Sequence, residues 1–281
     1  MQLNKLKIFQ PNNIGGSGGS SSRFTSDVTF VLATGKSLGK YQNGQTALWT
    51  GKTAVEAILD AAIEYIQPVF TAMGVTGQAV NVEAGTTLTG AKTYTWTITQ
   101  NSGVVPTVDI LDVTAGNTVL IAGTANDGNQ TVVIPNKLLA VNQTQQWRVR
   151  GNNTSPIGTF LSNIFTVTGR YFIFLGPNAI VPANSAQVRA LPASSFYTGS
   201  GTLTLNTGAV ETTHFIAMPP GTTFSQIIDL DALNANVTSA YVNIGTVNVL
   251  DVSGTNRSYT IFQLTLGAPY SANHRHQITL N

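Results

Sequence analysis

The chain has 281 residues with a formal net charge of +2, no cysteine, 42 % hydrophobic residues and only 9 % charged residues. The lack of cysteine excludes a disulfide framework and a thiolate metal site, and scattered Lys and Arg leave no basic stripe for nucleic acid. Low charge with this much apolar content argues against disorder and for a β-rich scaffold solvated by hydroxyls and amides.

In chain order, residues 1–14 form a basic-apolar arm with Leu3, Leu6, Ile8 and Phe9. Its start lacks the apolar stretch and small-residue cleavage site of a secretory signal. Gly15–Ser22 follows and is a flexible linker by composition. Phe24, Val28, Phe30 and Leu32 suggest a strand, and Asn43-Gly44 marks a tight turn. Thr53 and Glu56 form a capping box, after which Val55, Ile58, Leu59, Ala62, Ile63 and Ile66 recur at helical spacing until Pro68. A helix with one apolar face must pack on a sheet or on a neighbouring subunit.

From Val69 to Gly176 all signals are β. Predicted strands are Ala79–Val82, Thr93–Ile98, Val108–Val113, Val119–Ala122, Gln130–Ile134, Gln146–Arg150 and Phe165–Phe174. Tyr94 and Trp96 alternate with threonines, and Trp147 and Val149 alternate with polar residues, the pattern of strands with one face on a core. Strands recurring every 8–12 residues or so predict a sandwich. Residues 177–200 read as a linker or insertion. The rest is β again, with Ile227–Leu233 open between a helical turn and a buried strand. The expected organisation is therefore mainly β: arm and linker 1–23, helix-bearing segment 24–68, Ig-like β-sandwich 69–176 and C-terminal β module 177–281.

Chemical motifs are sparse. Gly51-Lys52-Thr53 opens a helix as a P-loop does, but the glycine required five residues earlier is Thr46; for Gly35-Lys36-Ser37 that place is taken by Phe30. Asp229 and Asp231 have a calcium-loop spacing without the glycine and further carboxylates of a cage. The triplets at Asn129, Asn142, Asn152, Asn153, Asn236 and Asn256 fit glycosylation only in a secreted chain. His274 and His276 would share a strand face; repeated around a three-fold axis, the pair would offer six nitrogens to one metal ion, while the plain alternative is a polar surface strand. No catalytic set is recognisable, no cofactor is expected, and the longest apolar runs are too short to span a bilayer. Trp49, Tyr41, Tyr171, Phe172 and Phe174 lie where rings can stack on sugars or pack at an interface, whereas Trp96, Trp147 and Phe165 read as core.

Residues 35–61, GKSLGKYQNGQTALWTGKTAVEAILDA, resemble a segment of virion appendage proteins of phages and prophages of Bacteroidetes bacteria, in which G-K-Y-x-x-G-D-T-I-P-A-x-G-K-T precedes a short helix. Here Gln45 replaces the Asp, and Ala47-Leu48-Trp49 replaces Ile-Pro-Ala. TGAKTYTWTITQNSGVVP, LIAGTANDGNQTVVIP, QQWRVRGNNT, IDLDALNANVT and PYSANHRHQITL look like further parts of such proteins, so the likeness runs from about Thr29 onward. It implies a tail-fibre, spike or head-fibre component of the virion, frequently trimeric. The arm would bind other virion proteins, and a host surface glycan or protein would be the receptor. The alternatives are a capsid or collar decoration protein that binds no receptor and, from another class, a bacterial carbohydrate-active or adhesive module.

Overall fold

The computed structural model describes residues 14–15, 23–31, 37–38, 41–42, 44–62, 66–101, 104–154 and 157–281. The arm and linker apart from Ile14 and Gly15, and also Leu32, Gly35, Lys36, Asn43 and Ile63, lie outside them. The fold is mainly β with antiparallel sheets and few helices, of the β-sandwich class that alternation and composition predict.

Two-residue strands open the chain: Ile14–Gly15 (β1), Arg23–Phe24 (β2), Val28–Thr29 (β3), Ser37–Leu38 (β4), Tyr41–Gln42 (β5) and Thr46–Ala47 (β6). They pair antiparallel as β1 with β2, β3 with β6 and β4 with β5. Helix α1 spans Ala54–Ala62. The β region continues with Val69–Val75 (β7), Asn81–Glu83 (β8), Thr86–Thr99 (β9), Thr107–Asp112 (β10), Thr118–Ala125 (β11), Asn129–Leu139 (β12), Thr144–Thr154 (β13), Ile157–Leu161 (β14) and Phe165–Arg170 (β15). Then come Phe172–Pro177 (β16), helix Ser185–Arg189 (α2), Ala193–Phe196 (β17), Gly201–Asn206 (β18), Thr213–Met218 (β19), Phe224–Asp229 (β20), Ala235–Asn236 (β21), Val242–Leu250 (β22), Asn256–Thr265 (β23) and Arg275–Leu280 (β24).

The chain forms two compact units, the first made of the described residues of Met1–Thr76 with Ala91–Val132 and Trp147–Phe165. In it β9 pairs with β7, while β10 pairs with both β11 and β13, and β13 with β14. Trp147 on β13 is 1 % exposed and meets the buried Tyr94 of β9 edge-on at 5.9 Å, with the Phe165 ring nearly parallel to it at 6.4 Å. One sheet therefore faces the other through these rings, as their alternation in sequence requires. Beside that core, Asp109 is buried on β10: Arg150 binds one carboxylate oxygen at 2.6 Å and 2.9 Å, and Asn152 and the Gly123 amide bind the other. Burial alone would raise the Asp109 carboxyl, but these donors hold it below the ordinary aspartate value.

The second unit comprises Gly77–Gly90, Val133–Gln146 and Thr166–Asn281. A five-stranded sheet in the order β17-β16-β19-β23-β22 and a four-stranded sheet in the order β18-β24-β20-β21 share a core of Ile173, Ile216, Met218, Leu264, Ile227 and Ile278. Phe174, Phe215 and Ile261 point to the opposite face of the five-stranded sheet and pack with Val188 and Leu191, of and just after α2. Burial on both faces explains why β16 and β19 read as continuous apolar runs instead of alternating. Arg189 of α2 closes the end of this layer through a hydrogen bond to the Leu250 carbonyl at 2.9 Å and an ion pair with Glu83. In the same unit β15 runs parallel to β8, and a Cβ on Gly169 would lie 2.3 Å from the Ala140 carbonyl oxygen. Glycine lets these two backbones touch.

Two expectations change and one open reading is resolved. The strand foreseen over Phe165–Phe174 is two strands that break at Tyr171, and β16 pairs with β17 and β19. Strand β16 thus lies in the sheet of β17, β19 and β23, and its middle residues Ile173–Gly176 are small or apolar because the strand is covered on both faces. The stretch 177–200 is not a linker, for it carries α2 and β17. Ile227–Leu233 resolves into the end of strand β20 and a turn, in which the Asp229 side chain accepts from the amides of Asp231 and Ala232. No sequence pattern marks strands β7 and β14, since neither VFTAMGV nor IGTFL alternates cleanly.

Candidate functional site

Two places concentrate unusual side-chain placement, one in each unit. In the first, Phe24, Phe30, Tyr41 and Trp49 form a buried aromatic cluster with ring centroids 4.8–6.0 Å apart. Helix α1 docks on it with its small side: Ala57 and Ala61 are buried. The capping box forms as predicted, since the Thr53 amide donates to Glu56 and the Glu56 amide donates to the Thr53 hydroxyl. Asp60 anchors the same side of the helix, accepting from the Tyr41 hydroxyl at 2.5 Å and the Trp49 indole N–H at 2.9 Å. Lys52 lies 3.4 Å from that carboxylate, so the lysine of the Gly51-Lys52-Thr53 sequence serves the helix and faces no phosphate cradle.

With the alanines inward, the large apolar residues of α1 face outward. Val55, Ile58 and Leu59 are 66 %, 58 % and 61 % exposed, and Leu48 and Ile66 are exposed nearby. The helix is amphipathic as predicted, but its apolar face does not lie on a sheet of its own unit. A substitution isolates the inward anchor: Asp60→Ala should lower stability by about 2 kcal/mol, because the Tyr41 hydroxyl and the buried Trp49 indole lose a shared charged acceptor. Urea titration followed by tryptophan fluorescence measures this.

The second place gathers all three histidines of the chain at one end of the C-terminal module. His276 on β24 is fully buried; the Tyr241 hydroxyl lies 2.8 Å from its Nδ1, and the Tyr270 hydroxyl 3.3 Å from its Nε2. His274, just before β24, stacks on the Tyr270 ring at 3.9 Å and places Nδ1 2.8 Å from an oxygen of Asp229. The same oxygen is 3.4 Å from Nε2 of His276. His274 and His276 therefore do share a face, as their spacing predicts, but the face turns inward. Asp229 is buried yet held below its ordinary value, because the His274 contact and the Asp231 amide outweigh desolvation. Arg275 points the other way and grips Asp231 with both Nε and a terminal nitrogen.

His214 on β19 completes the group and had no distinguishing signal in the sequence. It is fully buried, its ring lies 6.2 Å from that of Tyr270, and neither ring nitrogen has a hydrogen-bond partner among the described residues. Burial, with His276 nearby, pushes its pKa down to about 4. Among the described residues, no group of three or more His, Cys, Asp or Glu is arranged to hold a metal ion.

The aromatics considered for recognition divide differently from expectation. Trp49, Tyr41 and Phe174 are buried, and the half-buried Phe172 stacks on Phe196 at 4.4 Å, so these rings pack against other side chains of the chain itself. Among the described residues no helix is long and apolar enough to cross a membrane. No family model, curated protein or solved structure matches the chain.

Proposed function

We propose that the protein is a non-enzymatic structural component of a phage virion: a surface fibre or spike that projects from the particle and aids host attachment. The observation that carries the reading is the outward apolar face of α1. A nine-residue helix fastened by its alanines and Asp60, with Val55, Ile58 and Leu59 in solvent, is built to be covered by another chain. The segment is the one that resembles the appendage proteins of Bacteroidetes phages, whose members are frequently trimeric. On this reading the arm and helix anchor and trimerise, and the β modules carry the surface that meets the host. Their low charge and extensive β pairing suit a display scaffold, and avidity across copies secures adsorption through individually weak contacts.

Location on a particle decides the matter. Immunogold labelling of particles released from the source bacterium should decorate projecting fibres or spikes. Label over the capsid or collar alone would replace the reading with that of a decoration protein. Absence of the chain from purified particles would refute both.

A further inference from the structure

The two sheets of the C-terminal module meet at one end through a polar cluster instead of aliphatic side chains. Its members come from both sheets: His214 stands on β19 of the five-stranded sheet, while His276 and Asp229 stand on β24 and β20 of the four-stranded sheet. Tyr241 enters from just before β22, and Tyr270 and His274 from the connection between β23 and β24. Asp231 and Arg275 complete the titratable groups of the turn and strand beside it, and each satisfies the other. Glu211, on the segment leading into β19, sits beside Gly208.

We propose that this cluster is an acid-sensitive latch, which joins the two sheets at neutral pH and releases them on acidification. Charge counting supplies the reason. One ionised Asp229 can balance one imidazolium, and His274 is its nearest partner. A second and third proton, on His276 and His214, would put uncompensated positive charge among fully buried groups, because Asp231 is already engaged by Arg275. His214 is the most severe case, since neither of its ring nitrogens has a hydrogen-bond partner among the described residues to take up the proton it would gain.

The direction follows from linkage. The folded-state value of His214 lies at about 4, below the ordinary 6.5, so between these values the unfolded chain binds more protons than the folded one. Folding is unaffected above that window and weakens as pH falls through it. His276 is also lowered, chiefly by burial, and adds in the same direction. Loss of the Asp229 charge destabilises only further down, below the ordinary carboxylate value.

Hydrogen exchange of the full-length protein between about pH 7.5 and about pH 5 tests this, after correction for the intrinsic pH dependence of exchange. The opening constant of peptides covering β19 and β24 should rise by up to about tenfold per pH unit for each of the two buried histidines below the ordinary histidine value, while the part of β13 in the first unit, from Trp147 onward, stays protected. His214→Phe should flatten that response. Unchanged protection of β19 and β24 in acid, or an undiminished acid response in the folded H214F variant, would overturn the proposal. Should the variant not fold, imidazole proton resonances of the wild-type chain decide. A His214 midpoint far below the ordinary value supports the latch, and one at the ordinary value refutes it.

Discussion

Replacing Trp147 with alanine is expected to destabilise the first unit by about 4 kcal/mol, the size seen when a fully buried aromatic is removed from a core that cannot close over the gap. The indole touches Tyr94 across the sandwich and Phe165 beside it, so both rings lose their packing partner at once. Denaturant unfolding followed by far-ultraviolet circular dichroism should show an earlier transition for the strands of this unit. Trp147→Phe, which keeps most of the apolar volume, should recover more than half of the loss.

Asp109→Ala should cost about 3 kcal/mol. Removing one member of a buried ion pair usually costs somewhat more, but Arg150 keeps about a third of its side chain in solvent and can rehydrate. The Gly123 amide and Asn152 lose their acceptor as well. Because hydrogen bonds hold the Asp109 carboxyl below its ordinary value, its contribution is complete above the ordinary carboxylate pKa and disappears as pH falls through the lowered one. Wild type and Asp109→Ala should therefore converge in stability in strong acid, which a pH series of urea midpoints measures.

These two residues also show what could be read in advance. Trp147 was legible because a strand with one buried face writes its geometry into alternate positions, and in β13 every second residue from Gln145 to Asn153 is indeed buried. The capping box was legible for the same local reason. Asp109 was placed on a strand, but its partners Gly123, Arg150 and Asn152 come from other strands, and no local pattern announces such a meeting. The helix shows the limit most sharply. Its periodicity marked Val55, Ile58 and Leu59 as one face correctly, yet the orientation depends on distant anchors at Tyr41 and Trp49 that hold Asp60 and turn the alanine side inward. The histidines repeat the lesson. His274 and His276 are near in sequence and were paired there, whereas His214 joins them only because β19 and β24 belong to facing sheets.

On the proposed function, the outward face of α1 is covered by other copies of this chain. Molecular mass in solution, by sedimentation or light scattering, tests it most directly when wild type is compared with an Ile58→Glu, Leu59→Glu double variant. Both positions are exposed, so the variant should fold with an unchanged circular dichroism spectrum. Three chains per particle for wild type and one for the folded variant are predicted. A wild-type protein that stays monomeric at high concentration, or a variant that remains a trimer, would overturn the trimer.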